Sequence, residues 1–169
     1  LSRQMMSDLM EDIILGVFPM NETGDILKAL AERGETSEEI AAVAAVLRSH
    51  AVRLPLTKGL DFCDTCGTGG DHKGTANIST LAAIVASSAG ACIAKHGNRA
   101  SSGRCGSADV LEALGVHIEA SPEWVARCVE EIGFGFCFAP VFHPVMKALA
   151  PIRRTLAIRT IFNLAGPLS

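Results

Sequence analysis

The chain has 169 residues, of which 49% are hydrophobic and 20% are charged, and its formal net charge at pH 7 is −3. This length and balance are ordinary for a globular protein with a substantial core. The acidic total argues against a general polyanion-binding protein, since nucleic-acid-binding domains usually carry an excess of basic residues. A small anionic substrate is the simpler partner.

The sequence contains no run of eighteen apolar residues and no basic segment followed by an apolar leader. It therefore predicts neither a membrane span nor secretion, and we expect a cytoplasmic location. The six cysteines lie mostly inside apolar runs, where a reduced thiol packs as a small hydrophobic group. Cys63 and Cys66 form one CxxC pair, but no second pair completes a zinc site. We interpret both as structural, with a redox role as the less favoured alternative.

The first third of the chain is predicted to be helical. A capping box of Thr36 and Glu39 starts the third helix, and Gly34 ends the second. Three segments have apolar residues at helical spacing, near 2–17, 22–33 and 37–52.

A linker that contains Pro55 and Gly59 precedes a region in which short apolar runs alternate with helical segments. Ser121 and Pro122 are a favourable N-cap and first residue for a helix that stops at Gly133. The runs predicted to be buried strands are 60–66, 91–94 and 134–139.

This pattern predicts the fold class α/β, with a small N-terminal helical domain over 1–58 and a parallel-sheet α/β domain over 59–169. A sheet made from three strands alone would be small and poorly covered. We therefore expect the α/β domain to be truncated at its C-terminus.

The loop DTCGTGGDHKGTANIST at 64–80 is typical of a phosphate-binding segment. Gly67, Gly69 and Gly70 would let backbone N–H groups approach an anion closely, and several hydroxyls add further donors. The loop enters a predicted helix, whose N-terminus attracts negative charge. Neither GxxxxGK[ST] nor GxGxxG is present. Taken alone, such a loop is more often a glycine-rich surface turn.

A second loop, KHGNRASSGRCGSAD at 95–109, also combines cations, glycines, an amide and serines. Such a mixture suits an anion held from several sides, although an exposed charged face is the ordinary alternative. Two units of strand, glycine-rich loop and helix within about forty-five residues favour the binding interpretation. Both loops would lie at the carboxyl ends of neighbouring parallel strands.

The segments DTCGTGGD, NIST, KHGNR and GSADVLEALG resemble the signature segments of the anthranilate phosphoribosyltransferase family. Downstream, FAPVFHPVMK at 138–147 and RRTLAIRTIFNLAGPL at 153–168 resemble the same family in order and spacing. The resemblance covers essentially the whole chain. Pyrimidine nucleoside phosphorylases share the nucleoside phosphorylase/phosphoribosyltransferase-like fold, but their glycine loop differs from DTCGTGGD.

This resemblance implies transfer of the phosphoribosyl group of 5-phosphoribosyl 1-diphosphate to the amine of anthranilate, a step of tryptophan biosynthesis that uses Mg²⁺. Family members are about twice this length, so the chain resembles their N-terminal half. The acidic pair that binds magnesium in the family would lie beyond the last residue here. We therefore expect the chain alone to be weak or inactive as a transferase.

The resemblance also implies roles for particular residues. Lys95, Asn98 and Arg153 would be catalytic, and Ser79 would ligate Mg²⁺. The anthranilate-binding residues would be Gly67, His96, Asn98, His143 and Arg153. The residues that bind phosphoribosyl diphosphate would be Gly67, Gly70, Asp71, Thr75, Asn77, Ile78, Ser79, Thr80, Lys95, His96, Gly97, Asn98, Arg99, Ala100, Ser101, Ser102, Gly103 and Ser107.

The sequence departs from the family pattern at a few positions. Glycine is usual where Ala157 stands, and lysine and serine are more frequent where Arg104 and Cys105 stand. None of these departures removes an implied ligand, but Ala157 could shift the backbone near Arg153.

Three functions stay open. The first is phosphoribosyl transfer to anthranilate, and the second is a pyrimidine nucleoside phosphorylase-like enzyme. The third is a non-catalytic relative that binds nucleic acid, which would need a continuous basic groove. By resemblance, we expect a homodimer through the N-terminal helices. His50 and His117 receive no role and are expected to be structural or exposed.

Overall fold

The computed structural model describes residues 1–68, 77–100 and 105–169. These residues divide into two compact units, one formed mainly by 1–51 and 143–169, and the other mainly by 52–142. The elements in chain order are α1 (Arg3–Ile14), α2 (Met20–Arg33), α3 (Ser37–Ser49), α4 (Ile78–Ser88), β1 (Ile93–Gly97), α5 (Ser107–Ala113), α6 (Pro122–Ile132), β2 (Phe134–Phe138), α7 (Ala139–Phe142), α8 (Met146–Leu156) and α9 (Ile161–Ala165).

The first unit joins α1, α2 and α3 to α8 and α9 around one apolar core. Met6, Met10, Leu27, Val43 and Ile161 are completely buried in this core. The three N-terminal helices match the predicted helical segments to within a few residues. The last two helices pack with them because their apolar faces join the same core. The predicted boundary between a helical domain over 1–58 and an α/β domain over 59–169 stays a prediction.

The first turn of α3 is fixed by a buried carboxylate. Glu39 and Thr36 form the predicted capping box, with the Thr36 backbone N–H donating to Glu39 at 2.9 Å. The ammonium of Leu1 and the guanidinium of Arg33 also donate to Glu39, at 2.6 and 2.8 Å. The Leu1 ammonium first, and then the Thr36 N–H, lower the pKa of Glu39 to about 2. The carboxylate is therefore ionised although it is fully buried.

The second unit contains a parallel pair of strands. Ile93 of β1 lies opposite Phe134 of β2, and the register runs to Gly97 opposite Phe138. The helix α6 packs on this pair closely, because a Cβ placed on Gly135 would lie 2.8 Å from the carbonyl oxygen of Val125. As predicted, α6 begins after Ser121 and ends at Gly133, which has a left-handed φ of 75°.

The prediction of a full strand over 60–66 is wrong in extent. Within the described residues this segment contributes only one bridge, Cys63 beside Ile93. The chain leaves the sheet immediately afterwards because the Asp64 side chain accepts the N–H of Cys66 at 2.9 Å. This local turn satisfies a backbone donor that a longer strand would have used in the ladder. The α/β class is confirmed nevertheless, with a helical bundle followed by a parallel sheet.

Two further expectations concern the whole chain. All six cysteines are free thiols, in agreement with their interpretation as reduced residues. In the described part of the chain, no helix has both the length and the apolar character needed to cross a membrane.

Ala157, the residue that follows α8 as its C-cap, has an unusual backbone conformation. The φ of Ala157 is 50°, and Ala157 is the one non-glycine residue with positive φ among the described residues. Left-handed backbone is unfavourable for a residue with a β-carbon, and helices commonly place glycine there. The chain therefore stores strain at the position where the family resemblance leads us to expect glycine.

We predict that Ala157→Gly stabilises the protein. Relief of left-handed strain should raise the free energy of unfolding by about 0.5–1 kcal/mol, after the greater flexibility of glycine in the unfolded chain is subtracted. Ala148→Gly, at an exposed position inside α8, is the matched control and should lower it by about 0.5–1 kcal/mol. Urea unfolding measures both variants. Equal destabilisation by the two substitutions would contradict the assignment of strain to Ala157.

Candidate functional site

The centre of the candidate site is the side chain of Lys95 on β1. Its exposed fraction is 1%, so the ammonium is removed from solvent. The Nζ atom donates to the hydroxyl oxygens of Thr65 and Ser79, at 3.4 and 3.3 Å. Burial lowers the pKa of Lys95, and the negative charge of Asp64 opposes that shift. A cation surrounded at close range by neutral hydroxyls is incompletely compensated, which makes this position attractive to an anion.

Asp64 ties the first loop to the end of β1. Its Oδ1 atom accepts the N–H of Cys66 at 2.9 Å and the N–H of His96 at 3.2 Å. Burial first, and then the hydrogen bond to Asp64, raise the pKa of the Cys66 thiol to about 12. Cys66 is therefore a protonated thiol at neutral pH and a poor nucleophile.

The N-terminus of α4 lies beside this cluster. The Thr65 hydroxyl donates to the backbone oxygen of Ser79 at 2.8 Å, which attaches the first turn of the helix to the loop. Asn77 precedes the helix, and its amide donates to the carbonyl of Cys105 at 3.2 Å. The unpaired N–H groups and dipole of a helix N-terminus favour negative charge. Lys95 and α4 thus direct positive potential into the same region.

The second loop follows β1 directly. The backbone carbonyl oxygen of Asn98 accepts hydrogen bonds from the Ser107 hydroxyl at 3.3 Å and from the Ala108 N–H at 3.2 Å. Burial lowers the pKa of His96, so its ring is neutral at pH 7. The guanidinium of Arg99 faces α5, where it pairs with Asp109 and Glu112.

The structure brings several of the predicted binding residues together in the second unit. Ser79 and Lys95 are in direct contact, as are Asn98 and Ser107. Thr80 is buried, whereas Ile78 is exposed. Gly67 and Ala100 are both exposed, and Gly97 is half-buried at the end of β1. The predicted residues that lie outside the described residues are Gly70, Asp71, Thr75, Ser101, Ser102 and Gly103.

Two predicted anthranilate-binding residues belong to the first unit. His143 is buried, with its Nε2 atom 3.4 Å from the hydroxyl of Ser169. Arg153 is half-buried on α8, and its guanidinium carbon lies 6.0 Å from the ring centre of Phe162. Burial lowers the pKa of Arg153. Within residues 1–68, 77–100 and 105–169, no carboxylate forms an ion pair with it.

The sequence interpretation missed Asp64 and Thr65 as site residues. Both directly follow the bridge residue Cys63, at the carboxyl end of a predicted strand. Polar residues at that position of a parallel sheet commonly face a ligand, so their placement was the available signal.

One group of side chains has the spacing of a metal site. Asp64, Cys66 and His96 each place a donor atom within 4.8 Å of the others. Carboxylate, thiol and imidazole donors suit zinc-like ions better than Mg²⁺, which prefers oxygen ligands. The positive charge of Lys95 acts on both Asp64 and Cys66 and opposes a cation there. This cluster is therefore a poor candidate for the expected Mg²⁺.

Two family models match the chain. The helical bundle domain of the glycosyl transferase family matches residues 1–51, and the a/b domain of the same family matches residues 59–169. The two matches together cover both parts of the predicted organisation.

Individual relatives agree with the family models. The anthranilate phosphoribosyltransferase of Anaeromyxobacter dehalogenans is 54% identical over all of this chain and 50% of its own length. The structure of the Thermus thermophilus enzyme of that name aligns with a TM-score of 0.90 at 49% identity, covering 99% of this chain and 51% of that one.

A structure of the Saccharomyces cerevisiae enzyme, in complex with PRPP and Mg, aligns with a TM-score of 0.76 at 36% identity. It covers 88% of this chain and 42% of the yeast chain. The chain thus spans about half the length of the relatives it matches. On the two family-model matches, the chain belongs to the glycosyl transferase family that unites a helical bundle domain with an a/b domain.

Proposed function

We propose that this chain provides the phosphoribosyl-diphosphate-binding part of an anthranilate phosphoribosyltransferase. Such an enzyme joins the anthranilate amine to C1 of the ribose of 5-phosphoribosyl 1-diphosphate, releases diphosphate and forms N-(5-phosphoribosyl)anthranilate. The observation that carries the proposal is the buried Lys95 ammonium between the hydroxyls of Thr65 and Ser79. The relatives that share this chain's whole length are named for that activity.

The reaction requires stabilisation of charge more than it requires a strong base. As the bond from C1 to the diphosphate oxygen breaks, positive charge develops on the sugar and the leaving group becomes more negative. Lys95 and the N-terminus of α4 provide fixed positive potential for that leaving group. The anthranilate amine is neutral at pH 7 and forms the new bond with its own lone pair. It then loses a proton to the surrounding water.

The described residues fit a Mg²⁺ ion only in part. Ser79 offers one hydroxyl oxygen, a ligand type that Mg²⁺ accepts, but the same oxygen lies 3.3 Å from the Lys95 ammonium. A cation would therefore need substrate phosphate oxygens around it as well. When bound with the substrate, Mg²⁺ would neutralise charge on the diphosphate.

Arg153 is our candidate for the carboxylate of anthranilate. Its guanidinium rests on Phe162 and has no ion-pair partner among the described residues, so its donors are available to a ligand. A guanidinium pairs with a carboxylate through two parallel hydrogen bonds. The alternative is a structural role for a cation stacked on an aromatic ring.

The alternative functions are less well supported. A nucleic-acid-binding relative needs a continuous basic surface, yet the Arg99 guanidinium is paired with the acidic residues Asp109 and Glu112. The three relatives described above carry the transferase name rather than that of a nucleoside phosphorylase. The homodimer and the cytoplasmic location stay predictions.

We predict that Lys95→Met weakens binding of phosphoribosyl diphosphate by about 10- to 150-fold, since a charge-assisted contact contributes about 1.5–3 kcal/mol. Methionine keeps most of the buried side-chain volume, so the change removes chiefly the charge. Titration calorimetry with magnesium, on this chain and on a version extended to its relatives' length, measures the effect. Lys58→Met, at an exposed position in the same unit, is the control and should leave the affinity unchanged. Equal weakening of anthranilate binding would count against the assignment.

We predict that Arg153→Ala raises the KM for anthranilate at least tenfold in the extended version, with a smaller effect on the other substrate. The loss of anthranilate fluorescence during turnover provides the assay. Arg154→Ala, at the exposed neighbouring position, is the matched control and should change neither KM. A lower melting temperature without a change in KM would favour the structural role of Arg153 instead.

A further inference from the structure

The carboxylate of Asp109 bridges two parts of the second loop. Its Oδ2 atom accepts the N–H of Ala100 at 3.0 Å and the N–H of Gly106 at 2.7 Å. Its Oδ1 atom accepts from the Arg99 guanidinium at 3.2 Å. A single side chain on the first turn of α5 therefore holds both ends of the segment between Ala100 and Gly106.

Arg99 reinforces the same attachment. Its guanidinium forms a two-point pair with Glu112, at 2.7 and 2.9 Å, and lies 5.9 Å from the ring centre of Phe138. The pairing with Glu112 and then with Asp109 raises the pKa of Arg99 further above its usual range. Because these contacts occupy the guanidinium, the Arg99 side chain fastens the loop to α5 rather than facing a phosphate.

The two ends of the loop are also in close backbone contact. A β-carbon added to Gly106 would collide with the backbone N of Ala100 and lie 2.7 Å from the carbonyl oxygen of Asn98. Only glycine permits this approach. The geometry at residues 98–100 is therefore linked to that at residues 106–109.

Ordinary helix capping explains only part of this arrangement. An aspartate at the third helical position that accepts the N–H of the N-cap residue makes one half of a capping box, and the bond from Gly106 is of that kind. The bond from Ala100 and the ion pair with Arg99 reach outside the helix, to the other end of the loop. Capping alone requires neither of them.

We propose that Asp109 is a positioning residue for the diphosphate substrate, and that Arg99 acts through Asp109 and Glu112 rather than by contacting the substrate. The inference rests on the proposed function, because Asn98, Ala100 and Ser107 are among the residues expected to bind phosphoribosyl diphosphate. By joining Ala100 to Gly106, Asp109 keeps the described residues Asn98, Ala100 and Ser107 in one arrangement before the substrate arrives.

The first test compares Asp109→Ala and Asp109→Asn in the version extended to the relatives' length, by calorimetry with phosphoribosyl diphosphate and magnesium. Asp109→Ala should raise the Kd at least tenfold. Asp109→Asn, which keeps an acceptor oxygen but loses the charge, should have an intermediate effect. Neither variant should change the KM for anthranilate by more than about twofold. Glu123→Ala, which removes an exposed acid from the first turn of α6, is the control and should leave the Kd unchanged.

The second test uses hydrogen exchange and a double substitution. Exchange at the Ala100 amide should accelerate in Asp109→Ala, a change that loss of capping alone would not cause. Arg99→Met and Asp109→Ala should weaken binding less together than the sum of their separate effects, since both act on one attachment. Additive losses would show that Arg99 contacts the substrate itself.

The possible failures are distinguishable. If the unsubstituted protein does not bind phosphoribosyl diphosphate, the proposed function fails and the inference fails with it. If that protein binds normally but the Asp109 variants bind equally well, only the inference is overturned, and Asp109 is a helix cap. If Asp109→Ala does not fold, the near-isosteric Asp109→Asn decides, and unchanged affinity in that variant also overturns the inference.

Discussion

The burial of one ammonium group constrains the geometry of the whole candidate site. Removing a charge from water is unfavourable unless other groups compensate it, and two hydroxyls at hydrogen-bond distance compensate Lys95 only in part. Those hydroxyls come from the loop after Cys63 and from the first turn of α4. Three separate segments therefore meet at the Lys95 ammonium. The same arrangement leaves positive potential that an anionic ligand can neutralise.

Much of the fold followed from local signals in the sequence. The capping box of Thr36 and Glu39 and the stop at Gly133 depend on residues within one helical turn, so they could be identified without tertiary information. The strand expected around Cys63 shrank to one bridge because the Asp64 side chain captures the Cys66 N–H. Competition between a side chain and a backbone ladder depends on geometry that hydrophobic patterning does not describe.

The candidate site was less predictable than the fold. Lys95 and Ser79 stood in motifs, but the contact between them joins positions sixteen residues apart. Asp64 was missed because its second partner, the His96 N–H, lies thirty-two residues away. The resemblance also implied that Arg99 binds the substrate, but it gave no sign that the guanidinium pairs with acids on α5. The sequence could predict which types of chemical group the site contains, but it could not predict the directions in which their side chains point.

The buried Glu39 carboxylate makes the stability of the helical bundle depend on pH. Because its pKa is held at about 2, below the ordinary value of 4.5, acid unfolding must be accompanied by proton uptake at this group. Its contribution to stability is complete above pH 4.5 and disappears as the pH falls through about 2. The same carboxylate accepts the Thr36 N–H at the start of α3, so the group that takes up this proton is also the group that caps the helix. Protonation of Glu39 at low pH would therefore weaken the start of α3 directly.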